Sequence, residues 1–116
     1  MKLIGGKTED DLVAWANQLV GDKHTPIKAL KDPLLGDGKY LINLLAKIEP
    51  RAVNWELVLP GETDDDKKNN AKYAVSIARK LGAVIFCLWE DIVNVNPKQM
   101  LIFFATMNEI AMDLLK

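Results

Sequence analysis

The chain has little of what most protein chemistry requires. Cys87 is its only cysteine and His24 its only histidine, so neither an internal disulfide nor a cysteine zinc site can be assembled. A single cysteine in an apolar run suits a reducing compartment. With no second histidine and no nearby cysteine, His24 has no partner for metal or acid–base work and is expected in a surface loop. No apolar stretch approaches the roughly 20 residues of a membrane span. The start, MKLIGGKTEDD, lacks the hydrophobic segment of a signal peptide. Positive charge is not in excess either. The 15 Lys and Arg against 16 Asp and Glu leave a formal charge of −1, which excludes holding nucleic acid or an acidic membrane by bulk field. Gly6-Lys7-Thr8 looks like the tail of a phosphate-binding loop, but Met1 stands where its first glycine belongs and no strand precedes it. Glu62-Thr63-Asp64-Asp65-Asp66 lacks the alternating oxygen ligands and central glycine of an EF-hand. No metal, cofactor or enzyme activity is expected, and a cytoplasmic domain is the default.

What is present is enough for one core. The 116 residues have the length of a single domain, 1–116, which can bury about two thirds of its unfolded surface. The stretch from Asp64 to Leu81, DDDKKNNAKYAVSIARKL, reads as the helix around which the rest is arranged. At about 100° per residue, its Ala71, Tyr73, Ala74, Val75, Ile77, Ala78 and Leu81 sweep an arc of roughly 200°, wider than a surface helix needs. Asp64 is expected as its N-cap, Asp65 and Asp66 as complements of the helix dipole, and Gly82 as the left-handed residue that closes it. Asn70 falls inside the apolar arc. An unpaired amide there would cost about 1–3 kcal/mol, so Asn70 is expected to bond the backbone of a packed loop. On the outer side, Lys68, Lys72 and Arg79 form a line of cations with Ser76 among them. This line either meets an acidic protein partner or is a solvated face balanced by the aspartates upstream.

The remaining elements follow in order. Residues 1–7 read as a flexible arm. Thr8 caps a first helix in which Leu12, Trp15, Ala16 and Leu19 share one face, Asp10, Asp11, Ala14, Asn17 and Gln18 face water, and Gly21 ends the run. A polar loop from Asp22 to Pro33 is pinned by Ile27 and Leu30. A second helix is expected from Asp37 to Ile48, burying Tyr40, Leu41, Leu44, Leu45 and Ile48. Trp55 and Val58 look like packing anchors of the segment that follows. The run from Val84 to Trp89, VIFCLW, has a strand-like composition but no partner strand, so a buried extended connection is expected. After a helical turn at Glu90 to Val93, Asn96-Pro97-Lys98-Gln99 marks the start of a last helix reaching about Leu115. That helix is apolar nearly all round, with Ile102 inside its polar sector. It either packs among the helices of its own domain or is covered by a neighbour. The fold class is all-α, with four longer helices plus short connecting helices.

Several stretches now carry a resemblance: Asp65-Asp66-Lys67, Asn69-Asn70-Ala71-Lys72-Tyr73-Ala74-Val75-Ser76, Ala78-Arg79-Lys80-Leu81-Gly82-Ala83, Glu90-Asp91-Ile92-Val93 and Asn96-Pro97-Lys98-Gln99-Met100. Together with Trp15 and Asn17 they resemble a calponin-homology domain, and most of all the fourth and last such domain of the fimbrin/plastin family. Trp89 departs from the pattern, which usually has a proline before Glu-Asp. Fimbrins carry four of these domains in two tandem pairs after EF-hands, so the chain reads as a fragment of a longer protein or as an unusual single-domain one. The resemblance implies binding to F-actin as part of a tandem with a neighbouring calponin-homology domain, filament bundling, and a place in the actin cytoskeleton. It sets Lys98 near the face that meets the preceding domain, with Ile102 beside it. The competing reading is a structural or scaffold domain that binds another cytoskeletal or signalling protein, such as the microtubule.

Overall fold

The computed structural model describes residues 7–114. Five α-helices make the frame: α1 (Glu9–Val20), α2 (Lys39–Ile48), α3 (Asp64–Lys80), α4 (Trp89–Val93) and α5 (Pro97–Leu114). Short 3-10 turns join them at Gly21–Lys23, Pro33–Asp37, Pro50–Ala52 and Trp55–Leu57. Four long helices with short connecting ones is the architecture expected from the periodicity. Of the arm over residues 1–7, all but Lys7 lies outside the described residues.

Local chemistry fixes the helix ends. Thr8 and Asp11 form a reciprocal capping box at the start of α1, at 3.0 and 3.1 Å, and hydrogen bonding by Thr8, first by its backbone N–H and then by its side chain, holds the Asp11 carboxyl below its ordinary pKa. At α3 the cap is Thr63, not Asp64. Its hydroxyl accepts from the Asp66 N–H at 3.0 Å, leaving all three aspartates inside the first turn, where they face the positive helix end. The other end of α3 closes with Gly82 at φ +100, its N–H on the Arg79 carbonyl and the Ala83 N–H on the Ala78 carbonyl. Helix α2 starts two residues later than the expected Asp37, because Pro33–Asp37 already forms a 3-10 turn that Gly38 ends at φ +77. Asn96 caps α5 by accepting from the Lys98 and Gln99 N–H groups. The Asn96 N–H, which a capping-box glutamine would take, donates to the Asp91 carbonyl instead.

Helix α3 lies against α2, α4 and the Pro33–Asp37 turn, which accounts for its wide apolar arc. Ala71, Ala74, Val75, Ile77 and Ala78 are buried, and the small alanines let neighbouring backbone approach. The core beside it is made by Leu12 of α1, Tyr40, Leu41, Leu44 and Leu45 of α2, and Phe103 and Phe104 of α5. Trp15 packs half-buried against this core. Helix α5 spends most of its apolar surface inside the domain, with Met100, Phe103, Phe104, Met107 and Ala111 buried.

Three expectations are corrected. Asn17 does not simply face water: its amide donates to the Ile27 carbonyl at 2.8 Å, and its oxygen accepts from the Ile27 N–H at 3.0 Å and the Tyr40 hydroxyl at 2.7 Å. It ties the polar loop to α1 and α2. Trp55 is no anchor, being 51% exposed, whereas Val58 does pack on the core. The run expected from Val84 to Trp89 ends at Leu88, because Trp89 already opens α4, and it is only alternately buried. Ile85 and Cys87 point inward, while Val84 and Phe86 are 84% and 85% exposed.

Candidate protein-interaction surface

The cations of α3 are arranged around Trp89. Lys68 and Lys72 are one helical turn apart, a spacing at which like charges repel, and the Trp89 ring lies beside both. Its centroid is 5.0 Å from the Lys68 Nζ and 6.0 Å from the Lys72 Nζ. An indole face attracts ammonium groups by about 0.5–1 kcal/mol at exposed sites, so it offsets the repulsion between the two lysines. Trp89 is the first residue of α4, and α4 packs on α3. Trp89 therefore shapes this surface directly.

Between α3 and the extended run lies a shallow cleft whose walls include Lys72, Val75, Ser76 and Arg79 on one side and Cys87, Leu88 and Trp89 on the other. Among the described residues no carboxylate forms an ion pair with Lys68, Lys72 or Arg79, and the ion pair there is Arg51 with Glu49, at 3.0 Å. The cations are thus uncommitted to the acidic groups of the described residues. At the floor of the cleft, burial pushes the Cys87 thiol up to about 12, with Asp91 adding to the effect and Arg79 opposing it. The thiol is neutral and unreactive there. Val84, Phe86 and Leu88 continue the surface as an exposed apolar ridge.

The other site residues lie elsewhere. Lys98 is exposed in the first turn of α5 and Ile102 is half-buried one turn on; neither lines the cleft. Asn70 is fully buried and bonds the Asp37 and Leu59 carbonyls and the Leu59 N–H. His24 is half-buried, its Nδ1 2.8 Å from the Thr25 carbonyl oxygen and its ring edge-on to Tyr40. Among the described residues no cluster of His, Cys, Asp and Glu could hold a metal ion. No helix there is long and apolar enough to cross a membrane.

Sequence reasoning found the cations but missed Trp89 and the ridge. Both faces of the run from Ala83 to Leu88 are apolar, so its period of two left no trace in polarity.

Fimbrin-5 of Arabidopsis thaliana is 48% identical over 101 residues, covering 85% of this chain and 15% of the relative. Plastin-3 of Homo sapiens is 41% identical over 105 residues, covering 87% of this chain and 17% of the relative. The chain therefore spans less than a fifth of the length of these relatives. The crystal structure of the actin-crosslinking core of Schizosaccharomyces pombe fimbrin superposes with a TM-score of 0.81 at 41% identity, covering 86% of this chain and 22% of that one. The model of the calponin homology (CH) domain matches residues 6–113, so the chain belongs to the CH domain family.

Proposed function

We propose that the domain is an actin-filament-binding module of a fimbrin/plastin-like cross-linking protein, that it corresponds to the fourth CH domain of such a protein, and that it acts beside a neighbouring CH domain in the cytoplasmic actin cytoskeleton. The observation that carries this reading is the superposition on the actin-crosslinking core of fimbrin, which combines a shared fold with 41% identity. The domain works by binding and needs no cofactor. Lys68, Lys72 and Arg79 supply its cationic contact with an acidic filament surface, while Lys98 and Ile102 lie towards the neighbouring domain.

Charge arithmetic limits what the isolated domain can do. Three surface cations, Lys72 and Arg79 exposed and Lys68 half-buried, at about 0.2–1 kcal/mol each contribute at most about 3 kcal/mol, against the roughly 8 kcal/mol of a micromolar complex. Alone, the domain binds weakly; in tandem it strengthens or regulates its neighbour. Co-sedimentation with actin filaments, with microtubules in parallel, tests this at low and physiological salt. Weak, salt-sensitive pelleting with actin that a Lys68→Glu, Lys72→Glu variant reduces is the expected outcome. Tight, salt-insensitive pelleting by the isolated domain, or pelleting with microtubules alone, overturns it. For Lys98, chemical labelling slows when the preceding domain is joined; an unchanged rate removes Lys98 from that interface.

A further inference from the structure

The backbone of the extended run is unusual among the loops of this domain. At its ends the polar groups are taken: the Ala83 N–H donates to the Ala78 carbonyl, the Leu88 N–H to Asp91 Oδ2, and the Leu88 carbonyl accepts from the Asp91 N–H. Between them, the N–H and C=O groups of residues 84–87 have no hydrogen-bond partner among the described residues. Successive residues of such a run point these groups to opposite sides, so one side offers those of two residues, a strand edge without a sheet. Their side chains alternate as a strand's do. Ile85 and Cys87 anchor the run in the core, and Val84, Phe86 and Leu88 stand outward with Phe86 almost wholly exposed.

We infer that residues 83–88 form a docking edge for an extended, acidic segment of a partner protein, which adds as a β-strand with alternate apolar side chains against Val84, Phe86 and Leu88. Strand addition draws its affinity from main-chain hydrogen bonds and its specificity from alternate side-chain contacts, and both are offered here. The edge spans roughly 20 Å at about 3.3 Å per residue, the length of an ordinary strand. The acidic character follows from the cleft wall, where Lys72 and Arg79 stand over Leu88 and Trp89 without a carboxylate partner. Asp91, fixed by the Leu88 N–H and the Asn96 amide, keeps its charge, so it and the exposed Glu90 are the local repulsions that Lys68, Lys72 and Arg79 must outweigh. Binding is set apart from filament contact by its centre, which is the backbone of residues 84–87 and the Phe86 ring.

The test uses a synthetic peptide of about eight residues alternating valine and glutamate, near the ordinary strand length, added to the isotopically labelled domain. Two alternate backbone amides within residues 84–87, those on the edge the peptide takes, are expected to exchange about tenfold more slowly at saturation, the signature of new main-chain bonds. Phe86→Asp, at an exposed position that leaves the fold intact, weakens binding about tenfold, and so does N-methylation of alternate peptide amides. Binding without amide protection, equal binding of the N-methylated peptide, or equal binding of a valine–lysine peptide overturns the inference. So does no binding at millimolar peptide. A concentration-dependent dimer that protects the same amides without peptide assigns the edge to a second copy of the chain and overturns the acidic partner.

Discussion

Asn70 and the Leu59 backbone hold each other by two hydrogen bonds of opposite sense: the Leu59 N–H donates to the Asn70 side-chain oxygen at 2.9 Å, and the Asn70 amide donates to the Leu59 carbonyl at 3.0 Å. The same amide also reaches the Asp37 carbonyl at 3.0 Å. One buried side chain thus satisfies two separate loops that approach α3 from the same side. The approach is close, since a Cβ on Gly38 would lie 2.9 Å from that of Asn70, and only glycine fits there at φ +77. Asn70→Leu keeps the volume but strands those loop groups. It should destabilise the domain by about 2–3 kcal/mol, read as a lower denaturant midpoint with an unchanged slope. A midpoint equal to that of the parent would show that the loops find other partners.

Helix α5 contains the opposite case. Asn108 is buried, and its side-chain nitrogen has no hydrogen-bond partner. A buried donor without an acceptor costs roughly 1–3 kcal/mol, and leucine is close to asparagine in shape. Asn108→Leu is therefore expected to raise stability by about 1 kcal/mol, measured by thermal or denaturant unfolding. A loss of stability would show that the amide is satisfied in solution.

The contrast between these asparagines marks what could be read from sequence. Asn70 stood out because it interrupts an otherwise apolar arc, and periodicity finds such interruptions. Asn17 did not, because it sits where a polar residue belongs on α1. Its bonds to Ile27 and Tyr40 depend on a loop folding back over that face, and spacing within one helix carries no record of a loop. Glu9 does the same for the Leu30 N–H at 3.2 Å. Helix positions, most caps and the core were legible because they depend on neighbours in the chain. The partners of the cations were not, because Trp89 reaches Lys68 and Lys72 from another helix, and the alternation of the 83–88 run was hidden by its uniform apolarity.

Cys87 makes stability depend on alkaline pH. Its thiol is pushed from 9.0 to about 12 by burial, so between these values the unfolded chain releases a proton that the folded chain keeps. The folded state then binds more protons, and stability falls as pH rises from about 9, by at most about 1.4 kcal/mol per pH unit for this one group. Burial also raises Tyr40, which adds to the decline from about pH 10 upward. Cys87→Ala should remove the decline between about pH 9 and 10 and lessen it up to about pH 12, leaving above pH 10 the share that Tyr40 contributes. Equal slopes for parent and variant between pH 9 and 10 would mean that the thiol ionises alike in both states.

Trp89 offers the sharpest test of how this surface is built, because Trp89→Pro removes the indole at a position whose backbone suits proline. The backbone is ready for proline. Position 89 is the first of α4, where an N–H is dispensable, and Leu88 before it is extended at φ −99 and ψ 161, as a residue preceding proline must be. The helix should therefore persist, and the cost is the loss of indole packing and of its attraction for Lys68 and Lys72. That attraction is about 0.5–1 kcal/mol per contact at exposed sites, so the variant should fold with a loss of about 1–2 kcal/mol. The lysine side chains should become faster to label chemically, since the ring no longer shields them. If stability and labelling both match the parent, the indole does not organise the cations, and the two lysines hold their positions by α3 alone.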